Sequence, residues 1–426
     1  MSAASQRKMK PSGVDWIGDV PEGWGIDKFC YRFDFAKGLN ITKQDLTETG
    51  VPVVSYGQIH SKRNNGVHLT DELLRHIPAE LTKGEYAARL KRNDFVFADT
   101  SEDVEGIGNC VTVNRDEVIY AGYHTLVARP IEKVNCGYFG YLFKSECWRQ
   151  QLRRKANSVK VYSISQRLFK GVSILLPPLD EQKRIAAKLD RLCGRVDELA
   201  ENIKGEIAAL QEYRKSLIIE CVTKGLNPKA KMKPSGVDWI GDIPETRTLM
   251  RLRYLVSITT GDHDTQDADD TGEYPLYVRS PIVERSQRYT FEGPGVLMAG
   301  DGAGAGRIFH LVDGKYAVHQ RVYRLYNFSE INQKFLWLWL QSFFPIIMDH
   351  GSAQSTVPSV RLPMLKNLIV ALPTMNEQRE IAAFLDKRCA VIDAKIAERQ
   401  RQLEKLGEYR SSVIYEYVTG KKEASA

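Results

Sequence analysis

Gly300-Asp301-Gly302-Ala303-Gly304-Ala305-Gly306 is the stretch best suited to hold a phosphate, because glycines let successive backbone N–H groups converge on an anion. A phosphate-binding loop also ends in Lys-Ser/Thr and opens a helix. Here strand-like Arg307-Ile308-Phe309-His310-Leu311 follows instead, so the spacing predicts a tight hairpin whose N–H groups could still touch DNA phosphates. Glu181-Gln182-Lys183 matches the closing half of a nuclease motif, but no suitably spaced acid precedes it and it fits a helix start. A base methyltransferase needs a Gly-rich cofactor loop and an Asn-Pro-Pro-aromatic segment to hold a flipped base; the nearest match, Asn227-Pro228-Lys229, falls in a linker. No His-Glu-x-x-His occurs among the eight histidines, and His124 and His319 stand at matching places that read as strand ends. The seven cysteines are scattered, with no Cys-x-x-Cys spacing, which predicts reduced thiols in a cytoplasm and no zinc ribbon. Catalytic residues, metal ligands and a cofactor are therefore not expected in this chain.

What remains is chemistry that binds. Lys62-Arg63-Asn64-Asn65 is a basic, amide-rich loop carrying the side-chain types that bond phosphates and base edges. Arg279, Ser280, Arg285, Gln287 and Arg288 occupy the corresponding stretch of the second half, with Arg307 and Gln320-Arg321 beyond them. Arg153-Arg154-Lys155 to Lys160 adds another basic segment. Taken singly each is a solvated surface charge; as sets in matching places they are candidates for DNA contact.

The elements that must position these residues come in two copies. Met9–Pro21 reads MKPSGVDWIGDVP and Met232–Pro244 reads MKPSGVDWIGDIP, an offset of 223. Leu176–Leu189 (LPPLDEQKRIAAKL) and Leu372–Leu385 (LPTMNEQREIAAFL) repeat at an offset of 196, and Glu212–Gly225 matches Glu408–Lys421. Each copy is a head, a variable middle and a tail, and the first middle is longer by 27 residues. A tail runs into a head at the centre, while a head opens the chain and a tail closes it. If the ends meet, the chain is cyclically closed and its halves can be related by a pseudo-two-fold axis, which suits a two-part target.

The tails read as long helices. Asp180 and Asn376 have N-cap chemistry, and Glu181 and Glu377 follow in the first turn. Ile185, Leu189, Leu192, Val196, Leu199 and Ile203 recur in steps of four and three; the stripe shifts at Ile207 and resumes through Leu210, Tyr213, Leu217 and Cys221. The second tail keeps Ile381, Leu385, Ile392, Leu403, Leu406, Tyr409, Val413 and Tyr417, with Lys395 and Arg399 at two stripe positions. This heptad-like pattern with a stutter predicts a coiled-coil-type pair, with Ile185, Leu189, Leu192, Val196, Ile381, Leu385, Ile392 and Leu403 as pairing candidates. The middles read as short strands with a few helices, and Pro52–Ile59 aligns with Pro275–Ile282 at 223. With 426 residues, 43% apolar and 27% charged, the chain is expected to be folded and multidomain. Its net charge of +7 permits a nucleic-acid partner without requiring one. The polar opening Met1–Lys10 and the lack of a long apolar run predict neither a signal peptide nor a membrane span.

The head SGVDWIGD(V/I)P, the tail (L)P(P/T)xx(D/N)EQxxIAAxLD and the closing EYRxSxIxExVTxG, in this order over nearly the whole chain, resemble the conserved blocks of type I restriction–modification specificity subunits. The departures are small: Arg379 stands at the place of Lys183, and Thr374-Met375 at that of Pro178-Leu179. The resemblance implies an α+β chain with two mixed α/β target-recognition domains in a pseudo-two-fold arrangement, separated by two long antiparallel conserved helices. The expected division is a head at 1–24, a first recognition domain at 25–170, and a helix and linker at 171–231. A second head at 232–247, a second recognition domain at 248–370 and the closing helix and tail at 371–426 complete it. The resemblance also implies double-stranded DNA with a bipartite target, two methyltransferase subunits and, in the full complex, restriction subunits. S-adenosylmethionine, ATP and Mg²⁺ would serve those partners and not this chain. A specificity subunit of a methyltransferase-only system is the near alternative. An autonomous DNA-modifying enzyme and a protein-binding coiled-coil scaffold are the alternatives of other classes.

Overall fold

The head motif folds alike twice because its residues dictate a turn. Ser12 Oγ accepts from the Val14 amide, Gly18 takes φ +68°, and Met9–Pro11 pairs antiparallel with Asp19–Pro21. Ser235, Gly241 (φ +71°) and the pair Met232–Pro234 with Asp242–Pro244 repeat these roles. A side chain at either glycine would be strained. Ile17 and Ile240, just before those glycines, are buried. The computed structural model describes residues 7–15, 17–61, 64, 66–158, 162–350 and 358–424. The chain forms two compact units, Met1–Asn202 with Gln402–Ala426, and Ile203–Arg401.

In the first unit, strands β1 (Phe33–Lys37), β2 (Val51–Val54), β3 (Arg75–Ile77), β4 (Phe95–Ala98), β5 (Cys110–Thr112), β6 (Tyr120–Ala121) and β7 (Thr125–Pro130) form two sheets, ordered β1-β7-β4-β5 and β6-β2-β3. Every residue of β4 is buried, as a short unbroken apolar run requires. Helix α1 (Cys136–Lys144) is capped by Asn135, whose side chain accepts from the Tyr138 amide. It sends Phe143 into an aromatic core with Phe29, Phe33, Phe95, Phe97 and Trp148, at ring separations of 4.7–5.9 Å. Ile17 and Trp24 share this core with Val413, Tyr417 and Val418, so the first head and the last tail do meet.

The second unit repeats the plan with β8 (Ser257–Thr260), β9 (Tyr274–Tyr277), β10 (Glu284–Ser286), β11 (Gly295–Ala299), β12 (Phe309–Val312), β13 (Lys315–Val318), β14 (Val322–Tyr326) and helix α2 (Gln333–His350). Its sheets run β8-β14-β11-β12 and β10-β9-β13, the second extended by Phe291–Glu292. Pairing register fixes which residues correspond. Ala121 lies beside Val54 and Val318 beside Tyr277; Thr125 lies opposite Ala98 and Val322 opposite Ala299. The offset between copies is thus 223 at Val54 and Tyr277, 201 at Ala98 and Ala299, and 197 at Thr125 and Val322. Most of the extra length of the first middle falls between β2 and β4. Gly300–Ile308 is a hairpin connection, but a wide one, since β11 and β12 stop pairing at Met298 and Phe309.

The long helices span Leu179–Lys224 and Met375–Val418, about 69 Å for the first at roughly 1.5 Å per residue. Asp180 and Asn376 are not the caps. The carbonyl of Pro178 already accepts from the Glu181 and Gln182 amides, and Thr374 Oγ1 accepts from the Glu377 amide at 3.4 Å, so both helices begin earlier. Ile185, Leu189, Val196, Ile381, Leu385 and Ile392 are buried, and Leu192 and Leu403 are half-buried. Cys193 and Cys389 are buried too, while Leu199, Tyr213 and Tyr409 are more than half exposed. The stripe drifts because a 3.6-residue turn does not keep a seven-residue repeat on one line. In the second unit Arg399 reaches Glu206 at 2.7 Å and Asp393 reaches Arg214 at 2.9 Å, so the segments run antiparallel. In the first unit Arg410 reaches Asp197 at 3.2 Å.

The Glu-Gln of each tail joins helix, head and middle. Gln182, buried, donates to Pro177 O and accepts from the Asn135 amide, both at 2.9 Å. Gln378 donates to Pro373 O and Glu330 O at 3.0 Å and accepts from the Asn332 amide at 2.6 Å. Glu181, beside Gln182, accepts from Trp24 Nε1 at 3.0 Å and pairs with Arg7; Glu377, beside Gln378, pairs with the buried Arg247, which stands where Trp24 does in the first copy. Gln182→Ala and Gln378→Ala each strand a buried proline carbonyl and a half-buried asparagine amide. Each should cost about 1–3 kcal/mol of its unit's stability, read as a lowered urea midpoint.

Candidate nucleic-acid interface

Three loops come together in each unit: the connection from β2 to β3 (or β9 to β10), the segment after β4 (or β11), and the turn before β7 (or β14). The Asp99 amide donates to His124 O and the Gly300 amide to Arg321 O; the Ile164 amide donates to Asp99 O and the Val360 amide to Gly300 O. These matched bonds make Thr100 and His124 the counterparts of Asp301 and Arg321, and the strand register that matches Val54 with Tyr277 carries Tyr56 to Arg279. His124 therefore corresponds to Arg321, and His319 to Gly122, so the pairing of His124 with His319 read from the sequence is two residues out. His319 is 2% exposed, whereas the His124 side chain is 57% exposed on a backbone with φ +52°, an uncommon conformation for a residue other than glycine.

At the three positions the side chains differ. In the first unit Thr100 Oγ1 lies 3.3 Å from His124 Nδ1, and the Tyr56 ring meets the His124 ring edge-on at 5.3 Å. His60 stacks on Tyr56 at 5.5 Å and bonds Ser101 Oγ at 3.2 Å. In the second unit Asp301 takes Arg279 on one oxygen at 2.9 Å and Arg321 on the other at 2.6 Å. Burial opposes ionisation of Asp301, but its bonds to Arg321 and Arg279 outweigh that and hold its carboxyl below the usual range. The Arg321 amide donates to His319 Nδ1 at 3.0 Å, which leaves Nε2–H pointing to Asp264 Oδ1 at 3.5 Å. Burial, and after it Arg279, lowers the His319 pKa, so the ring is neutral at neutral pH.

The other candidates of the second unit are tied to the protein itself. Ser280 closes a local turn on Ile282, Arg285 bonds Gly272 O and Glu273 O, and Gln287 bonds Asp269 and Thr271. Arg288 pairs with Asp262, Arg307 with Asp349, and Gln320 bonds Asp264. Arg288 and Arg307 keep more than half of their side-chain surface exposed. In the first unit Lys62, Arg63 and Asn65 lie outside the described residues, as does Lys160. Asn64 is buried and does not face a ligand: its amide donates to Ile59 O and Cys110 O, and its Oδ1 accepts from Lys144 Nζ at 3.0 Å.

Lys144 also donates to Asn64 O and Asn109 Oδ1, both at 2.9 Å. It ties Asn64 to Asn109. Nothing in its sequence surroundings, the aromatic helix CGYFGYLFK, marks it. Tyr56, Thr100 and Asp301 were missed for a related reason: their partners are distant in sequence, and only register pairs them. Among the described residues no group of three or more His, Cys, Asp or Glu could hold a metal ion, and no helix is long and apolar enough to cross a membrane.

Burial pushes the Lys144 amine from 10.5 down to about 7. Between those values the unfolded chain binds the extra proton, so this group makes stability rise with pH. The wild type should gain stability from pH 7 to 9 relative to Lys144→Met; parallel urea midpoints for the two proteins would refute the assignment.

The sequence profile of the type I restriction modification DNA specificity domain matches this chain twice, over residues 33–209 and 244–405. The type I restriction enzyme MjaVIII specificity subunit of Methanocaldococcus jannaschii is 23% identical over 306 residues, 66% of this chain and 69% of that one. The type I restriction enzyme EcoDI specificity subunit of Escherichia coli is 28% identical over 174 residues, 41% of this chain and 38% of that one. A chain from a structure of the type I R-M system, solved for its complex assembly and conformational transition, aligns with a TM-score of 0.70 at 18% identity over 95% of this chain and 99% of that one. With two profile matches spanning most of its length, the chain belongs to the type I restriction–modification DNA specificity family.

Proposed function

We propose that this chain is the DNA-reading specificity subunit of a type I restriction–modification complex, with each unit reading one half of a bipartite duplex target. The observation that carries the reading is the pair of equivalent three-loop sites, built on one scaffold and furnished with different side chains. Two copies of one fold that must read different sequences need this: a constant frame, with variation at the positions that meet the bases. The constant parts, the heads and the long helices, give the modification subunits a surface to assemble on and set the unread spacer.

Catalysis then belongs to partners: adenine methylation with S-adenosylmethionine by two modification subunits, and ATP-driven cleavage with Mg²⁺ by restriction subunits in the full complex. The chain works in the cytoplasm, where its DNA target is. Residues 25–170 and 248–370 are the exchangeable recognition domains.

Replacing residues 25–170 with the corresponding middle of a relative should change one half of the methylated sequence and leave the other half and the spacer as they were. A change in both halves, or in neither, would sink the modular reading. The purified chain alone, given DNA, Mg²⁺ and S-adenosylmethionine, should neither methylate nor cut. Binding by the assembled complex should weaken steeply with salt, as phosphate neutralisation requires.

A further inference from the structure

We infer that Arg279, Asp301 and Arg321 form a guanine-reading fork in the second recognition domain, and that these three positions carry base specificity in both domains. The inference rests on the DNA-reading function proposed above and goes beyond it by naming the base and the residues.

The geometry is that of two arginines fixed by one carboxylate. Asp301, whose side chain is 19% exposed, holds one terminal nitrogen of each guanidinium, while Arg279 and Arg321 keep 39% and 60% of their side-chain surface exposed. A guanidinium carries five N–H donors in a planar fork, so each retains donors beyond those that Asp301 takes. Fixing the fork in advance removes much of the entropy cost of ordering a long side chain on binding. The major-groove edge of guanine presents two adjacent acceptors, O6 and N7, to such a fork.

A phosphate also offers two acceptors, but the surroundings disfavour it. The groove of about 390 Å³ at this site is lined by Glu284 as well as Asp301, and Asp264 stands against His319 beside it. The ionised side chains that line it are two carboxylates, Glu284 and Asp301, and one arginine, Arg279, a balance that repels an anion and tolerates a neutral base edge. The same carboxylates suit the N4 amino group of the cytosine paired with that guanine. Gly304 lets the loop close on the Arg279 backbone: a Cβ there would lie 2.6 Å from Arg279 O. At the equivalent positions the first domain has Tyr56, Thr100 and His124, which cannot present this donor pattern.

The test uses the full chain assembled with its modification subunits, given a duplex library randomised across both half-sites, with methylated molecules sequenced. The second half-site should contain guanine. Arg279→Ala and Arg321→Ala should each lower the preference for guanine by about tenfold or more, leaving the first half-site unchanged. Asp301→Ala should lower the same preference while binding to random duplex holds or tightens, because it removes a negative charge. Tyr56→Arg, Thr100→Asp and His124→Arg together should give the first half-site a guanine requirement. A second half-site without guanine would overturn the inference. So would arginine variants that weaken all sequences alike with a salt slope smaller by about one, the mark of a phosphate contact. If the wild-type complex methylates without any sequence preference, the DNA-reading function itself fails, a result separate from loss of the fork alone.

Discussion

The structure depends on a buried side-chain amide. Gln182 and Gln378 each sit where a proline-ended strand turns into a long helix, donating to the carbonyl just before the turn and accepting from the amide that opens the recognition-domain helix. An amide can do both at once, and neither a carboxylate nor an amine can. The bond to the proline carbonyl is buried in each copy and the bond from the asparagine amide half-buried, so losing the glutamine loosens the join between the constant helix and the variable domain. The glutamate before it extends the joint to the head, through Trp24 in one copy and Arg247 in the other.

That joint explains how two domains can diverge without losing their common frame. The constraint lies in the strands, heads and helix starts, where register is kept residue for residue. The loops that meet near Thr100 and Asp301 keep matched backbone bonds, but their side chains are not so constrained and differ completely: a hydroxyl, a phenol and an imidazole in one copy, a carboxylate between two guanidinium groups in the other. The difference in length also falls beside this site, chiefly between β2 and β4. The frame and the variable surface are therefore separated at the level of single positions.

The sequence made the constant parts legible because they are local. The head is a thirteen-residue turn with one substitution between copies, and the tails carry their periodicity within themselves. The interface was only partly legible, because charge and side-chain type do not say where a side chain is used. Arg285 looks like a phosphate ligand and instead ties down the Gly272–Glu273 turn; Asn64 looks like a base reader and instead binds the Lys144 amine. Asp301 reads as part of a glycine-rich turn, since both its arginines are about twenty residues away. The helix caps were misplaced by the same kind of competition, as the Pro178 carbonyl and the Thr374 hydroxyl closed the first turn before the acid or amide could.

The sharing of one core by Ile17, Trp24, Val413 and Val418 has a consequence for synthesis. Domains usually mature in the order in which they leave the ribosome. Here the first unit lacks part of its interior until Val413–Val418 are made, whereas the second, Ile203–Arg401, is continuous and precedes them. Of the two units the one translated first is therefore finished second, and a product ending between Arg401 and Val413 would carry one intact unit and one with an open apolar wound.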